Sequence, residues 1–251
     1  MAQAREYQGI CFSYSDTMND LVRMRRLAAP FLAPGGDGVL AQCYNELRNV
    51  QYAKAGNEWE WCIRETRPIR TKESHGGYRD SGKESGVSVY GLLCFTWSIV
   101  NPEKGQKQQR HFHLVGRAST SILVKRTEDD DVVAQWQFEA GDGASPGCHF
   151  HSAVNQYGQT GLFPEWLKVP RFPGLLLCPL DGLEFLLGEL FQRDWHQRMS
   201  EDSHDKAAWG NSQKKRLQRV LKWELEQVDK WKTTPWMTLK KAKPPLRVIT
   251  G

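Results

Sequence analysis

Four stretches of the chain, residues 87–100, 111–125, 132–139 and 148–154, follow one another closely and alternate apolar with polar side chains. Alternation with period two is the mark of a strand that buries one face. The connections between them, "NPEKGQKQQ", "TEDDD" and "AGDGASPG", are short, polar or glycine-containing, as hairpin connections are. The sequence therefore predicts an antiparallel meander of four strands. A fifth strand is expected where Trp59, Trp61 and Ile63 alternate with Glu58, Glu60 and Arg64.

Helical patterns lie on both sides of this region. Leu21, Met24, Leu27, Ala28 and Phe31 recur at helical spacing behind Ser15 and Asp16, either of which can cap the helix, and "APGGDG" ends it. Leu40, Cys43, Tyr44, Leu47 and Val50 mark a second helix. Asp181 and Glu184 stand at capping-box spacing ahead of Leu183, Leu186, Leu187, Leu190, Phe191 and Trp195. A last helix over 213–232 carries Leu217, Leu221, Leu225 and Val228 on one face, with bases on the others. The expected fold class is α+β: an antiparallel four- to five-stranded meander sheet packed by N-terminal and C-terminal helices. In domain terms the chain reads as one unit, helical over 10–55, sheet over 58–155 and helical over 180–232, with a basic extended tail over 233–251. Within the sheet region, residues 66–86 are rich in charge and glycine and read as a flexible loop.

A length of 251 residues with 39% hydrophobic side chains suffices for one sizeable core. The apolar stretch 175–191 is interrupted by Asp181, Glu184 and Glu189, so no membrane span is expected. The first residues lack an apolar segment followed by a small-residue cleavage site, which points to an intracellular, cytoplasmic protein. Its six cysteines are scattered without a Cys-x-x-Cys pair and read as reduced core residues.

Strand parity gives the sheet a chemical face. Side chains of equal parity share one side of a strand. In the second stretch of the meander, Phe112, Leu114, Ala118, Ile122 and Val124 form the apolar set, which leaves His111, His113, Arg117, Ser119 and Ser121 opposite. Gln135, Gln137 and Glu139 of the third stretch and His149 and His151 of the fourth fall on the corresponding side, and Cys148 and Phe150 on the core side. Four of the seven histidines, from two His-Phe-His triplets, are thus expected on one polar face. Water alone does not require imidazole in pairs. Two His at i and i+2 stand roughly 6.5–7 Å apart at Cα, close enough for both rings to converge on one ion.

The pattern supports a metal site with His111, His113 and His151 as ligands, Glu139 and His149 as acid–base groups or further ligands, and Arg117 to stabilise developing charge. Asp142 is a further candidate carboxylate. Neutral imidazole suits divalent transition metals, zinc first, and an ion of this kind activates water for hydrolysis. The expected activity is that of a metal-dependent hydrolase or nuclease on a phosphodiester or nucleotide. Part of the pattern resembles the cupins, in which His-x-His precedes a Glu and a later strand supplies another His; here, though, no Glu follows His113 closely. The paired triplets are also similar to the two-His phosphoesterases, but no hydroxyl residue stands two places after any of the four histidines. Cys148 as a nucleophile is disfavoured, because His149 points to the opposite face.

The competing class is a non-catalytic subunit that binds nucleic acid or an acidic protein surface. Between positions 213 and 232, seven Lys and Arg face three acids, and Lys214, Lys215, Arg216 and Arg219 are the expected contacts. Ten tryptophans add aromatic surface for such a role, or simply fill the core.

Overall fold

The computed structural model describes residues 10–75, 87–102, 108–141, 147–154, 172–230 and 233–242. Strand β1 (Cys11–Ser13) leads into α1 (Tyr14–Ala28), a short 3-10 turn, α2 (Gly36–Gln51), β2 (Glu58–Ile63) and β3 (Ile69–Arg70). The meander follows as β4 (Val89–Val100), β5 (His111–Arg126), β6 (Val132–Ala140) and β7 (His149–Val154). After β8 (Phe172–Pro173) come α3 (Pro179–Leu190), α4 (Gln192–Ser200), α5 (His204–Lys230) and α6 (Pro235–Lys241). The fold is α+β: among the described residues six helices flank an antiparallel sheet in the order β2-β4-β5-β6-β7-β8; β1 pairs with β5, and β3 with β4.

Several expectations are corrected. The cap of α1 is Ser13, whose side chain accepts from the Asp16 amide. Residues 69–74 are not loop: Ile69 and Arg70 pair with Leu93 and Leu92, and Ser74 bridges to Val89. Residues 76–86 lie outside the described set. Asp181 does not cap α3, which begins after Cys178; it lies in the first turn and holds Arg216. The tail is helical over Pro235–Lys241 rather than extended, and 243–251 lie outside the described residues.

One face of the sheet carries the core. Phe12 packs on Phe112 and Trp97 at 5.4 and 5.3 Å between ring centroids, and Trp61 meets Phe95 edge-on at 4.8 Å. Leu183, Leu186 and Leu187 of α3 are fully buried there. The helices above this layer are tied by Arg216. Its guanidinium reaches Asp20 on α1 and Asp181 on α3, the latter at 2.5 Å, and lies over the Trp209 ring. Ser212 donates to the same Asp20 carboxylate at 2.5 Å. Arg216 is therefore a buried cross-link and not a surface base. The buried face of α5 is Trp209, Ser212, Arg216, Val220 and Trp223, whereas Leu217, Leu221 and Leu225, expected as its packing stripe, are exposed.

Candidate metal centre

The polar face of the sheet is built by register. Thr96 on β4 stands opposite Ser119 on β5, which stands opposite Glu139 on β6, which stands opposite His149 on β7. A second row runs Cys94, Ser121, Gln137 and His151. Directly opposed side chains lie about 4.5–5.5 Å apart at Cβ, and diagonal neighbours remain within reach of long side chains. Glu139 is thus opposite His149 and diagonal to His151, so its carboxylate meets both rings.

The side chains converge accordingly. His149 Nε2 and His151 Nε2 lie 3.5 and 3.4 Å from the same oxygen, Glu139 Oε2. One ligand atom from each of the three residues falls within 4.8 Å of the other two. The other carboxylate oxygen, Oε1, accepts from Arg117 Nη2 at 3.1 Å and from Gln137 Nε2 at 2.9 Å. Arg117 and Gln137 therefore fix the carboxylate and leave Oε2 turned to the imidazoles. Hydrogen-bonded support of this kind commonly orients ligands around a metal.

Gly147 settles the tautomer of His149. Its carbonyl oxygen lies 2.8 Å from His149 Nδ1, and since a carbonyl only accepts, Nδ1 carries the hydrogen. In the neutral ring Nε2 then presents a lone pair toward Glu139 Oε2. This nitrogen is buried and makes no hydrogen bond among the described residues. Two lone pairs facing across 3.5 Å repel unless a cation, proton or metal, lies between them. When His149 is protonated, its Nε2–H faces this oxygen and, together with Arg117, holds the Glu139 carboxyl down to about 2 against the opposing effect of burial.

A bridging proton asks for N⁺–H···O⁻ contacts of about 2.7–2.9 Å. Ligand atoms bound about 2.0–2.2 Å from a tetrahedral zinc stand roughly 3.3–3.5 Å from one another. The two nitrogens stand 3.5 and 3.4 Å from Oε2, within the range of the second geometry, and all three ligand atoms lie within 4.8 Å of one another. Three protein ligands would leave a fourth position for water or substrate on a bound ion. That position opens on the His151 and Arg117 side, since the side chains of Glu139 and His149 are 7% and 3% exposed but those of His151 and Arg117 are 20% and 66%.

Two glycines permit this construction. A Cβ on Gly147 would lie 1.6 Å from the Leu239 carbonyl oxygen, so α6 can pass close beside β7 only at a glycine. Gly147 also donates to the Lys240 carbonyl, which holds its own carbonyl in place for His149. A Cβ on Gly141 would lie 1.8 Å from the Gly116 carbonyl oxygen, where β6 ends against the β5 bulge that precedes Arg117. No protein-family model, curated protein or solved structure matches the chain.

Glu139, Arg117, His149 and His151 are brought together; His111 and His113 are not part of the group. Those two lie on the stretch of β5 that pairs with β1, opposite Ser13 and Cys11, beyond the end of β6. Their partners on β4 show the separation: Val100 faces His113 and Thr96 faces Ser119, four residues or roughly 13 Å apart. His113 is buried, and burial followed by the nearby His111 pushes its imidazole down to about 4. Asp142 lies outside the described residues. Cys148 is buried on the core side, where desolvation pushes its thiol well above the ordinary range, so it is not a nucleophile. Lys214 and Lys215 are exposed and Arg219 half-buried. No helix among the described residues is long and apolar enough to cross a membrane. Gly147, which orients His149, was missed in the sequence; its signal is a glycine two residues before a histidine at the mouth of a strand.

Proposed function

We propose that the protein is a metal-dependent hydrolase of phosphate esters, with zinc as the leading metal. The observation that carries this reading is the convergence of His149 Nε2 and His151 Nε2 on Glu139 Oε2 at metal-ligand spacing. A bound ion would supply Lewis acidity and a nucleophile from water at neutral pH. The chain's own residues do the rest. Glu139, His149 and His151 hold the ion, so Glu139 and His149 act as ligands rather than as an acid–base pair. Gln137 and Arg117 orient the carboxylate. The Arg117 guanidinium, two-thirds exposed beside the open position, can also neutralise charge on a phosphoryl group.

The test is metal analysis of purified protein followed by assay with p-nitrophenyl phosphate and with bis(p-nitrophenyl) phosphate. Near-stoichiometric transition metal is expected, with turnover reduced at least a hundredfold in His149→Ala and in His151→Ala. Metal below a tenth of an equivalent, or full activity in both variants, rules the proposal out.

A second reading, a non-catalytic binding subunit, draws on the exposed row Leu217, Leu221 and Leu225 beside Lys214 and Lys215. It requires nucleic-acid affinity that falls steeply with salt and weakens in Lys214→Ala with Lys215→Ala. A salt-insensitive or absent interaction counts against it.

A further inference from the structure

The rows that build the metal centre continue across the sheet into a cleft of about 310 Å³. Its described lining includes Thr96, Arg117, Ser119, Ser121, Gln135 and Gln137. Arg117 and Gln137 are the residues that hold Glu139 Oε1, so one wall of the cleft is the outer support of the metal group. A volume of this size lies at the low end for small-molecule sites.

The lining chemistry narrows the occupant. Hydroxyl and amide groups from five side chains face it, and they match a ligand that offers many hydroxyls. Phe95 also borders the cleft, but its ring packs against Trp61 in the core and offers no stacking surface. A nucleobase would bring a flat apolar face and find no exposed aromatic ring among the described lining residues. The lining carries both signs of charge, the Arg117 guanidinium beside the metal group and the Glu65 carboxylate. One anionic group is therefore welcome near Arg117, and a second near Glu65 is repelled. A running phosphodiester backbone fits poorly, while Glu65 can accept from a hydroxyl.

Building on the proposed hydrolase reading, we infer that this cleft is the substrate subsite for a singly phosphorylated sugar or polyol, with its phosphate at Arg117 and the metal position and its hydroxyls over Ser119, Ser121, Thr96 and Gln135. In the hydrolysis, the oxygen of water bonds to phosphorus as the bond from phosphorus to the sugar oxygen breaks. The sugar oxygen takes a proton from that water, and the products are the free polyol and inorganic phosphate.

Calorimetric titration of the zinc-loaded full chain with glucose 6-phosphate, adenosine 5′-monophosphate and inorganic phosphate tests this. Glucose 6-phosphate is expected to bind at least tenfold more tightly than either of the others. Thr96→Leu and Ser121→Val, which touch none of Glu139, His149 and His151, are each expected to weaken it by about tenfold, the loss of one or two hydrogen bonds, while zinc uptake stays unchanged. Zinc uptake with equal affinity for glucose 6-phosphate and inorganic phosphate overturns the inference and leaves the metal reading standing. Tighter binding of adenosine 5′-monophosphate also overturns it. Failure to take up zinc at all overturns the hydrolase reading on which the inference rests.

Discussion

Zinc should raise the melting temperature of this protein through Glu139, His149 and His151 and through no other histidine of the two triplets. A ligand that binds the native state alone, at a hundredfold over its Kd, stabilises by about 2.7 kcal/mol. In a chain of 251 residues each kcal/mol moves Tm by about 2–4 °C, so the expected rise is about 5–10 °C. His151 is the side chain to perturb first, because its 20% exposure limits the folding cost of replacing it. His151→Gln removes one of three ligands, and its zinc-induced shift should fall below about 2 °C. His113→Gln lies on the stretch of β5 beside β1 and should keep the full shift, even though burial of that side chain lowers its baseline Tm. The assay is thermal unfolding with and without zinc, in reducing buffer, scored within each variant so that baseline stability cancels. Equal shifts in wild type and His151→Gln would refute the reasoning, and so would a shift abolished by His113→Gln alone.

Three further outcomes are expected. Arg216→Gln strips Asp20 and Asp181 of their buried partner, and removing one member of a buried pair costs about 3–5 kcal/mol; a Tm drop below about 5 °C in a thermal melt would show that the cross-link matters little. Gly147→Ala places a methyl against the Leu239 carbonyl oxygen and moves the acceptor of His149 Nδ1, so zinc affinity measured by competition with a chelator should fall about 10–100-fold. Unchanged affinity removes Gly147 from the account of the site. In metal-free protein, Glu139 has its carboxyl held down to about 2 in the folded state against an ordinary value of 4.5. A depressed acid contributes stability above the unfolded value and loses it as pH falls through the folded one. Wild type should therefore lose about 2–3 kcal/mol more than Glu139→Gln between pH 5 and pH 2 in denaturant titrations, and parallel curves for the two proteins would contradict the ionised carboxylate.

Much of the fold was legible because alternation is a local property. The four strands of the meander end within about two residues of where the pattern placed them, since apolar side chains at every second position have one way to be buried together. Helices α1 and α2 follow for the same reason from their three-to-four residue spacing. The polar face, too, was readable from parity, and the register sets Ser119, Glu139 and His149 in one row and Ser121, Gln137 and His151 in the next.

Parity, however, names a face and not a position along it. The two triplets look alike as sequence, yet β1 inserts beside the first part of β5 while β6 and β7 cover only the remainder, so His111 and His113 never approach His149 and His151. Nothing in residues 11–13 announces that pairing, because a three-residue strand is stabilised by its neighbours rather than by its own pattern. The same holds for α5. Its leucine row satisfies every local criterion for a buried face, but Asp20 from α1 and Asp181 from α3 draw Arg216 inward, and Trp209 and Trp223 go with it. Alternation and helical period therefore determined which side chains share a face. The tertiary structure alone decided which faces meet, because burial of a charge and convergence of a ligand set both depend on partners far away in the chain.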